Sequence, residues 1–297
     1  MLDTILGKIP RGEYMLSGHN ACAGCGPALA VRHMMKVLRS KAVITIPACC
    51  WSIISGVAPL RSLETVVMHC PFPAAAAVGS GIKKGLEAVD DNDTQVVVLA
   101  GDGGTFDIGL QGLSGAAERN ENIIFVCYDN EAYMNTGTQK SSASPYGSLS
   151  TTTPAPRVKN DPKKDIMRIL AAHEIPYAAT ATVAFPGDLI AKTRRLLAIR
   201  GFRFLHVLTP CPPGWGSPVE KTVELSRLAV LTRFFPLYEV ENGEKYQINY
   251  IPQEYMPVRE YLQGQRRFST LDESKIDLLQ GRVEKRWDTL CKSASST

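Results

Sequence analysis

QVVVLAGDGGTFDIGLQGLSGAAERNENIIFVCYDN, residues 95–130, decides the fold. Two apolar runs of strand length, 95–100 (Gln95 at its start) and 123–128, flank a glycine cluster and a stretch of helical character, 105–117. Uninterrupted apolar strands belong in a sheet buried on both faces. Ligands of such sheets bind where a strand ends and a helix begins. Gly101-Asp102-Gly103-Gly104 occupies that junction.

Outward from this block the same alternation continues. Helical spacing over 27–39, with Pro27 at its start, leads into a β-rich run at 42–46. An apolar, β-branched run at 63–70 precedes an Ala- and Gly-rich helix at 74–89. Beyond residue 160 the pattern predicts a helix at 163–172, a strand at 177–182, a helix at 187–199, a strand at 202–209 and a helix at 219–235. The class is α/β, a mostly parallel sheet with helices on both faces. Residues 130–160 are polar and turn-rich, too long for a mere connection, and are read as a functional loop. The division is a domain at 1–238 and a C-terminal extension at 239–297, a partner-docking arm whose last residues, 293–297, fray.

Composition narrows the class. Of 297 residues, 44% are hydrophobic and 21% charged, values of a globular chain. The net charge of +4 comes from 33 basic and 29 acidic residues that are mixed along the chain, which argues against nucleic-acid binding. No apolar run reaches the roughly 18 residues of a membrane span. The first residues lack the order of a secretory signal, so a cytoplasmic location is expected. The eight cysteines are too few for a disulfide scaffold. Cys22-Ala-Gly-Cys25 therefore reads as metal, cluster or redox chemistry.

Asp102 explains what the glycines hold. Glycine N–H groups and a helix start favour a phosphate, but a carboxylate beside a diphosphate repels it unless a divalent cation intervenes. Mg2+ suits such a site. Asn130, 27 residues past Gly103 at the end of the next strand, can supply a further ligand. Gly-Asp-Gly followed at that interval by Asn is the signature of thiamine diphosphate binding.

GHNACAGCGPALA (18–30), residues 101–148, STTTP (150–154) and PCPPGW (210–215) together resemble the β subunit of pyruvate:ferredoxin oxidoreductase and related 2-oxoacid:ferredoxin oxidoreductases. The resemblance runs in order from about residue 14 to 240. It implies the thiamine diphosphate-binding fold, Mg2+ and one [4Fe–4S] cluster. It also implies oxidative decarboxylation of a 2-oxoacid, with electrons passed to ferredoxin and the acyl group to coenzyme A. Carried over residue by residue, Asp102, Asn130 and the carbonyl of Ala132 hold Mg2+, while Gly101, Gly103, Gly104 and Thr105 line the diphosphate. Asn135 faces the reacting end of the cofactor. Cys22, Cys25, Cys50 and Cys211 ligate the cluster. Cys50 and Cys211 each follow a strand, so both can converge at one sheet edge. Cys49 is the rival of Cys50, and zinc is a rival of the cluster.

Other residues carry less. Cys70 and Cys127 lie on apolar runs and Cys291 near the end, so no chemistry is assigned to them. His33 and Trp215 are read as packing, and a cofactor contact by His19 stays open. Residues 72–75 read Phe-Pro-Ala-Ala where many relatives have Phe-Glu-Asn/Asp-Ala-Ala. That leaves the substrate open between pyruvate and another 2-oxoacid, such as an aromatic one or oxalate. The carboxylate that activates the aminopyrimidine is not found among Glu64, Glu87 and Glu131. The family takes it from an α subunit, so the chain alone is expected to be inactive; γ and δ subunits with further clusters complete the assembly. A non-redox thiamine-dependent decarboxylase subunit would keep the Gly-Asp-Gly motif without four cysteines, and a cysteine-bearing binding module the reverse.

Overall fold

The computed structural model describes residues 9–57 and 59–295. Its frame is one eight-stranded sheet: β1 (Ala42–Pro47), β2 (Val66–Cys70), β3 (Gln95–Gly101), β4 (Ile124–Asp129), β5 (Tyr177–Thr182), β6 (Arg203–Leu208), β7 (Tyr238–Glu241) and β8 (Lys245–Ile248). The order is β2-β1-β3-β4-β6-β5-β7-β8, the first six parallel and the last two antiparallel additions. Every residue of β4, β5 and β6 is buried, as their apolar runs require.

The period of two in a strand sends alternate side chains to opposite layers. Val97 and Leu99 of β3 join a core with helices α1 (Gly26–Leu38) and α6 (Pro186–Ala198). Val96, Val98 and Ala100 join the opposite core. That second layer is built by α3 (Ala75–Ala88), α4 (Leu110–Glu118) and α5 (Ile166–Ala171). Each fully buried Val or Leu contributes on the order of 1.5–3 kcal/mol, so both layers fix the strand register. Among the described residues, no helix is long and apolar enough to cross a membrane.

Several expectations change. The helix expected at 105–117 begins only at Leu110, because Gly103–Asp107 forms a wider π-helical turn. Gly109 makes that turn possible: a Cβ there would stand 1.8 Å from the carbonyl oxygen of Gly104. The strand expected at 63–70 is the short edge strand β2, with Val66 and Met68 exposed. The helix expected at 163–172 starts at Ile166, where Asp165 accepts a bond from the Arg168 N–H (3.1 Å). Residues 219–235 resolve into a 3-10 turn, Val219–Lys221, and α8 (Thr222–Leu231), the short α2 (Trp51–Ile54) and α7 (Pro212–Trp215) having passed unnoticed.

The largest correction concerns 239–297. The boundary at 238/239 falls inside β7, and β7 and β8 extend the same sheet. After α9 (Val258–Leu262), the long α10 (Glu273–Ser295) buries Trp287 and Leu290 in the second core layer. Its helix runs through residues 293–295, which were expected to fray; residues 1–8, 296 and 297 lie outside the described part.

Candidate active site

Parallel strands bring their C-terminal ends to one edge. Gly101 pairs with Tyr128, and Asp129 with Leu208, so Asp102, Asn130 and the Cys211 loop start level with one another. They open into a cleft of about 220 Å³. Gly101, Asp102, Gly103, Gly104, Asn130, Ala132 and Asn135 all line it, as do both Cys49 and Cys50. Thr105 differs from its expected place: it is fully buried, and its hydroxyl donates to the carbonyl of Gly101 (2.8 Å).

Asp102 is 3% exposed and accepts a hydrogen bond from the hydroxyl of Ser141. Burial, with Asp129 nearby, pushes its carboxyl well above the usual range. The side-chain oxygen position of Asn130 stands 2.9 Å from the carbonyl oxygen of Ala132 and 3.2 Å from Asp102 Oδ1. Three acceptors thus face one another with no hydrogen between them. Either the amide turns over and its N–H2 donates to both, or a cation takes the centre. Neighbouring ligands of an octahedron with bonds of about 2.0–2.1 Å stand about 3.0 Å apart, which matches.

Behind this trio lies a buried ion cluster. Asp129 pairs with Lys163 and with His206 Nε2 (2.7 Å); against the cost of burial, the two hold its carboxyl down at about 2. Glu131, fully buried in its side chain, accepts from Lys163 (2.8 Å) and Arg267 (2.6 Å). It adopts φ +67°, so Asn130 and Ala132 sit on either side of a left-handed residue. The indole N–H of Trp215 donates to the carbonyl of Asn130 (2.8 Å).

The cysteines gather at the same edge. Gly26 N–H donates to the carbonyl of Pro210 (3.1 Å), which seats the start of α1 on the Cys211 loop. A Cβ at Gly26 would stand 2.6 Å from that oxygen, so the contact needs glycine. Burial pushes the thiols of Cys25 and Cys211 to about 11 and that of Cys50 to about 12. Cys50 also feels Cys211, Cys49, Cys25 and Cys22. Cys49 lines the cleft beside Cys50, with its thiol engaged by Tyr128 and its backbone N–H donating to the Ser52 hydroxyl (3.1 Å). Among the described residues, no three His, Cys, Asp or Glu side chains stand close enough to share a single metal ion.

Comparison with known proteins decides the family. Residues 55–207 match the thiamine pyrophosphate enzyme C-terminal TPP-binding domain. Pyruvate synthase subunit PorB of Methanocaldococcus jannaschii is 44% identical over 97% of this chain and 98% of its own. The chain is a β subunit of the 2-oxoacid:ferredoxin oxidoreductase family. Ketoisovalerate oxidoreductase subunit VorB of Pyrococcus furiosus is also 44% identical, over 96% of this chain and 95% of its own. A solved structure of 2-oxoglutarate:ferredoxin oxidoreductase from Magnetococcus marinus shares the fold, with TM-score 0.59 at 22% identity over 74% of this chain and 82% of that one. The β subunit is thus part of an oxidoreductase, and other subunits accompany it.

Sequence reasoning missed the residues that shape this site from a distance. Ser141, Lys163, His206 and Arg267 meet Asp102, Asp129 and Glu131 across 32 to 136 positions of chain. No local period signals such pairs. Tyr133, whose hydroxyl donates to Asp107 (2.7 Å), closes one wall with Phe72.

The long loop is fastened by Lys159, 3% exposed, whose ammonium donates to the carbonyl of Ser144. Burial lowers its pKa from 10.5 to about 8. A lowered folded pKa means that burying the ammonium costs stability: the wild type is relatively most stable above 10.5, where the amine is neutral, and loses ground as pH falls to about 8. Between those limits, urea unfolding should show the wild type gaining on the order of 1–3 kcal/mol relative to Lys159→Met. An unchanged difference would remove this role.

Proposed function

We propose that the β subunit binds thiamine diphosphate through Mg2+ held by Asp102, Asn130 and the carbonyl of Ala132. Gly101, Gly103 and Gly104 approach the diphosphate, and Asn135 faces the reacting end. Cys22, Cys25, Cys50 and Cys211 hold a [4Fe–4S] cluster. The reaction is oxidative decarboxylation of a 2-oxoacid, pyruvate first, with coenzyme A: CO2 and an acyl-CoA form, and two electrons pass to ferredoxin. The enzyme is cytoplasmic, with an α subunit completing the active site and γ and δ subunits carrying further clusters.

The observation that carries this reading is the convergence of Asp102, the Asn130 amide and the Ala132 carbonyl at the Gly-Asp-Gly turn, one end of the amide lying 2.9 Å from that carbonyl and 3.2 Å from Asp102 Oδ1. A cluster on the four thiols is supported by their position at the strand-end edge, where the start of α1 is bonded to the Cys211 loop and Cys50 lies within the electrostatic reach of Cys211, Cys25 and Cys22, as of Cys49. When bound, thiamine diphosphate supplies a nucleophilic carbon and an electron sink for loss of CO2, and the cluster accepts electrons singly. The chain's own residues bind and orient. Asp102 brings the negative charge that holds the cation, Trp215 fixes the Asn130 carbonyl, and Phe72 with Tyr133 keeps water from one wall.

Relatives named for pyruvate and for ketoisovalerate are equally identical to this chain, so a branched 2-oxoacid is the competing substrate. The test uses the assembled enzyme under anaerobic conditions. Ferredoxin reduction should require pyruvate and coenzyme A, vanish after dialysis against EDTA, and return with Mg2+ and thiamine diphosphate. Reduction by 2-oxoisovalerate alone would move the specificity. Turnover by this chain without its partners would overturn the assignment of an α subunit to the active site.

A further inference from the structure

The C-terminal segment sends one buried cation between the two groups of site residues. Arg267 is 5% exposed. Its Nη1 donates to Glu131 (2.6 Å), its Nη2 to the hydroxyl of Tyr261 (3.0 Å) and its Nε to Gln265 (2.9 Å). The guanidinium centre lies 3.6 Å from the Trp215 ring centroid, a stacking that Arg makes better than Lys.

Trp215 reaches both ways. Its indole N–H donates to the carbonyl of Asn130 (2.8 Å), and its backbone N–H donates to the carbonyl of Cys211 (2.8 Å). Glu131, meanwhile, sits between Asn130 and Ala132 in a left-handed conformation, at φ +67°. A non-glycine residue keeps such a conformation only where its surroundings enforce it. Here its N–H donates to Asp129 Oδ1 (2.9 Å), its carbonyl accepts from the Ser144 hydroxyl (2.6 Å), and the ion pairs to Arg267 and Lys163 anchor its side chain. From Glu131 through Arg267 and Trp215, contacts therefore run to the metal turn and to the Cys211 loop alike.

We infer that Arg267 is a positioning residue that locks the Asn130–Glu131–Ala132 turn to the Cys211 loop, through Glu131 on one side and Trp215 on the other. The inference rests on the proposed cofactors. Its consequence is that the metal turn and the cluster loop keep one separation, on which electron transfer between them depends steeply. Arg267 touches neither centre's ligand side chains directly; it acts through its two neighbours.

The test uses the assembled enzyme carrying Arg267→Lys, Trp215→Phe, or Glu131→Gln combined with Arg267→Met. The double variant removes both charges, so no buried ion is orphaned. Two quantities are read without turnover: the thiamine diphosphate Kd at saturating Mg2+, by equilibrium dialysis, and the electron paramagnetic resonance spectrum of the reduced cluster. Trp215→Phe and Arg267→Lys should weaken thiamine diphosphate binding about 5- to 10-fold, the effect of one lost hydrogen bond. The double variant should exceed tenfold. All three should alter the cluster spectrum at unchanged iron content. Variants that melt lower but keep the wild-type Kd and spectrum would show a purely structural Arg267 and overturn the inference alone. A wild type holding neither cofactor would overturn the functional reading and this inference together.

Discussion

Asp102→Asn should abolish Mg2+-dependent thiamine diphosphate binding and lower ferredoxin reduction by at least about 10³-fold, while leaving the apo protein folded. The carboxylate is buried with the Ser141 hydroxyl as its hydrogen-bond donor. In the absence of a cation, that burial is a cost that the neutral amide does not carry. The melting temperature of the apo variant at pH 7 should therefore equal or exceed that of the wild type. With the cation, the charge is what brings metal and diphosphate together, and Asn cannot replace it. Calorimetry and equilibrium dialysis on the same preparation separate the two effects. A variant that binds thiamine diphosphate normally would remove Asp102 from the site.

The second large effect distinguishes two adjacent cysteines. Cys50→Ser should cost most of the cluster iron and about 100-fold or more in ferredoxin reduction, with thiamine diphosphate still bound. Cys49→Ser should keep the iron. The expected difference rests on what engages each thiol: both line the cleft, but the Cys49 thiol is taken up by Tyr128, whereas Cys50 faces the field of Cys211, Cys25 and Cys22. Equal iron loss in both, measured by anaerobic iron and sulfide analysis, would contradict the choice of ligand.

The placement of the candidate residues at one sheet edge was legible because their motifs sit on the strongest periodic signals. Residues 96–100 and 123–128 are wholly buried along β3 and β4, and the register of those strands delivers Asp102 and Asn130 to the same edge. Cys211 was equally traceable, three residues past β6. Where the outcome differed, tertiary contacts had overridden local pattern. Val66 and Met68 look like core residues in sequence, yet β2 is an edge strand. The segment after 238 is weakly patterned because β7 and β8 are short antiparallel additions at a sheet margin, and α10 carries much charge on its outer face.

Glu131 shows what a sequence withholds. It was sought as an activating carboxylate and has no such context; in the fold it is a buried anchor held by Lys163 and by Arg267, 136 residues away. Thr105 likewise belongs to the turn's own hydrogen bonding and not to the cleft wall. Spacing within a motif reports which residues come together, but not which of them face the ligand.

The most direct test of the account is an anaerobic cofactor analysis of this chain, purified with its native partners and then separated from them. The account predicts about four iron and about four sulfide on this chain, together with Mg2+ and thiamine diphosphate in the assembly, and a cluster absorbance that pyruvate or a branched 2-oxoacid bleaches. Zinc in place of iron, or a loaded cluster that no 2-oxoacid bleaches, would contradict it.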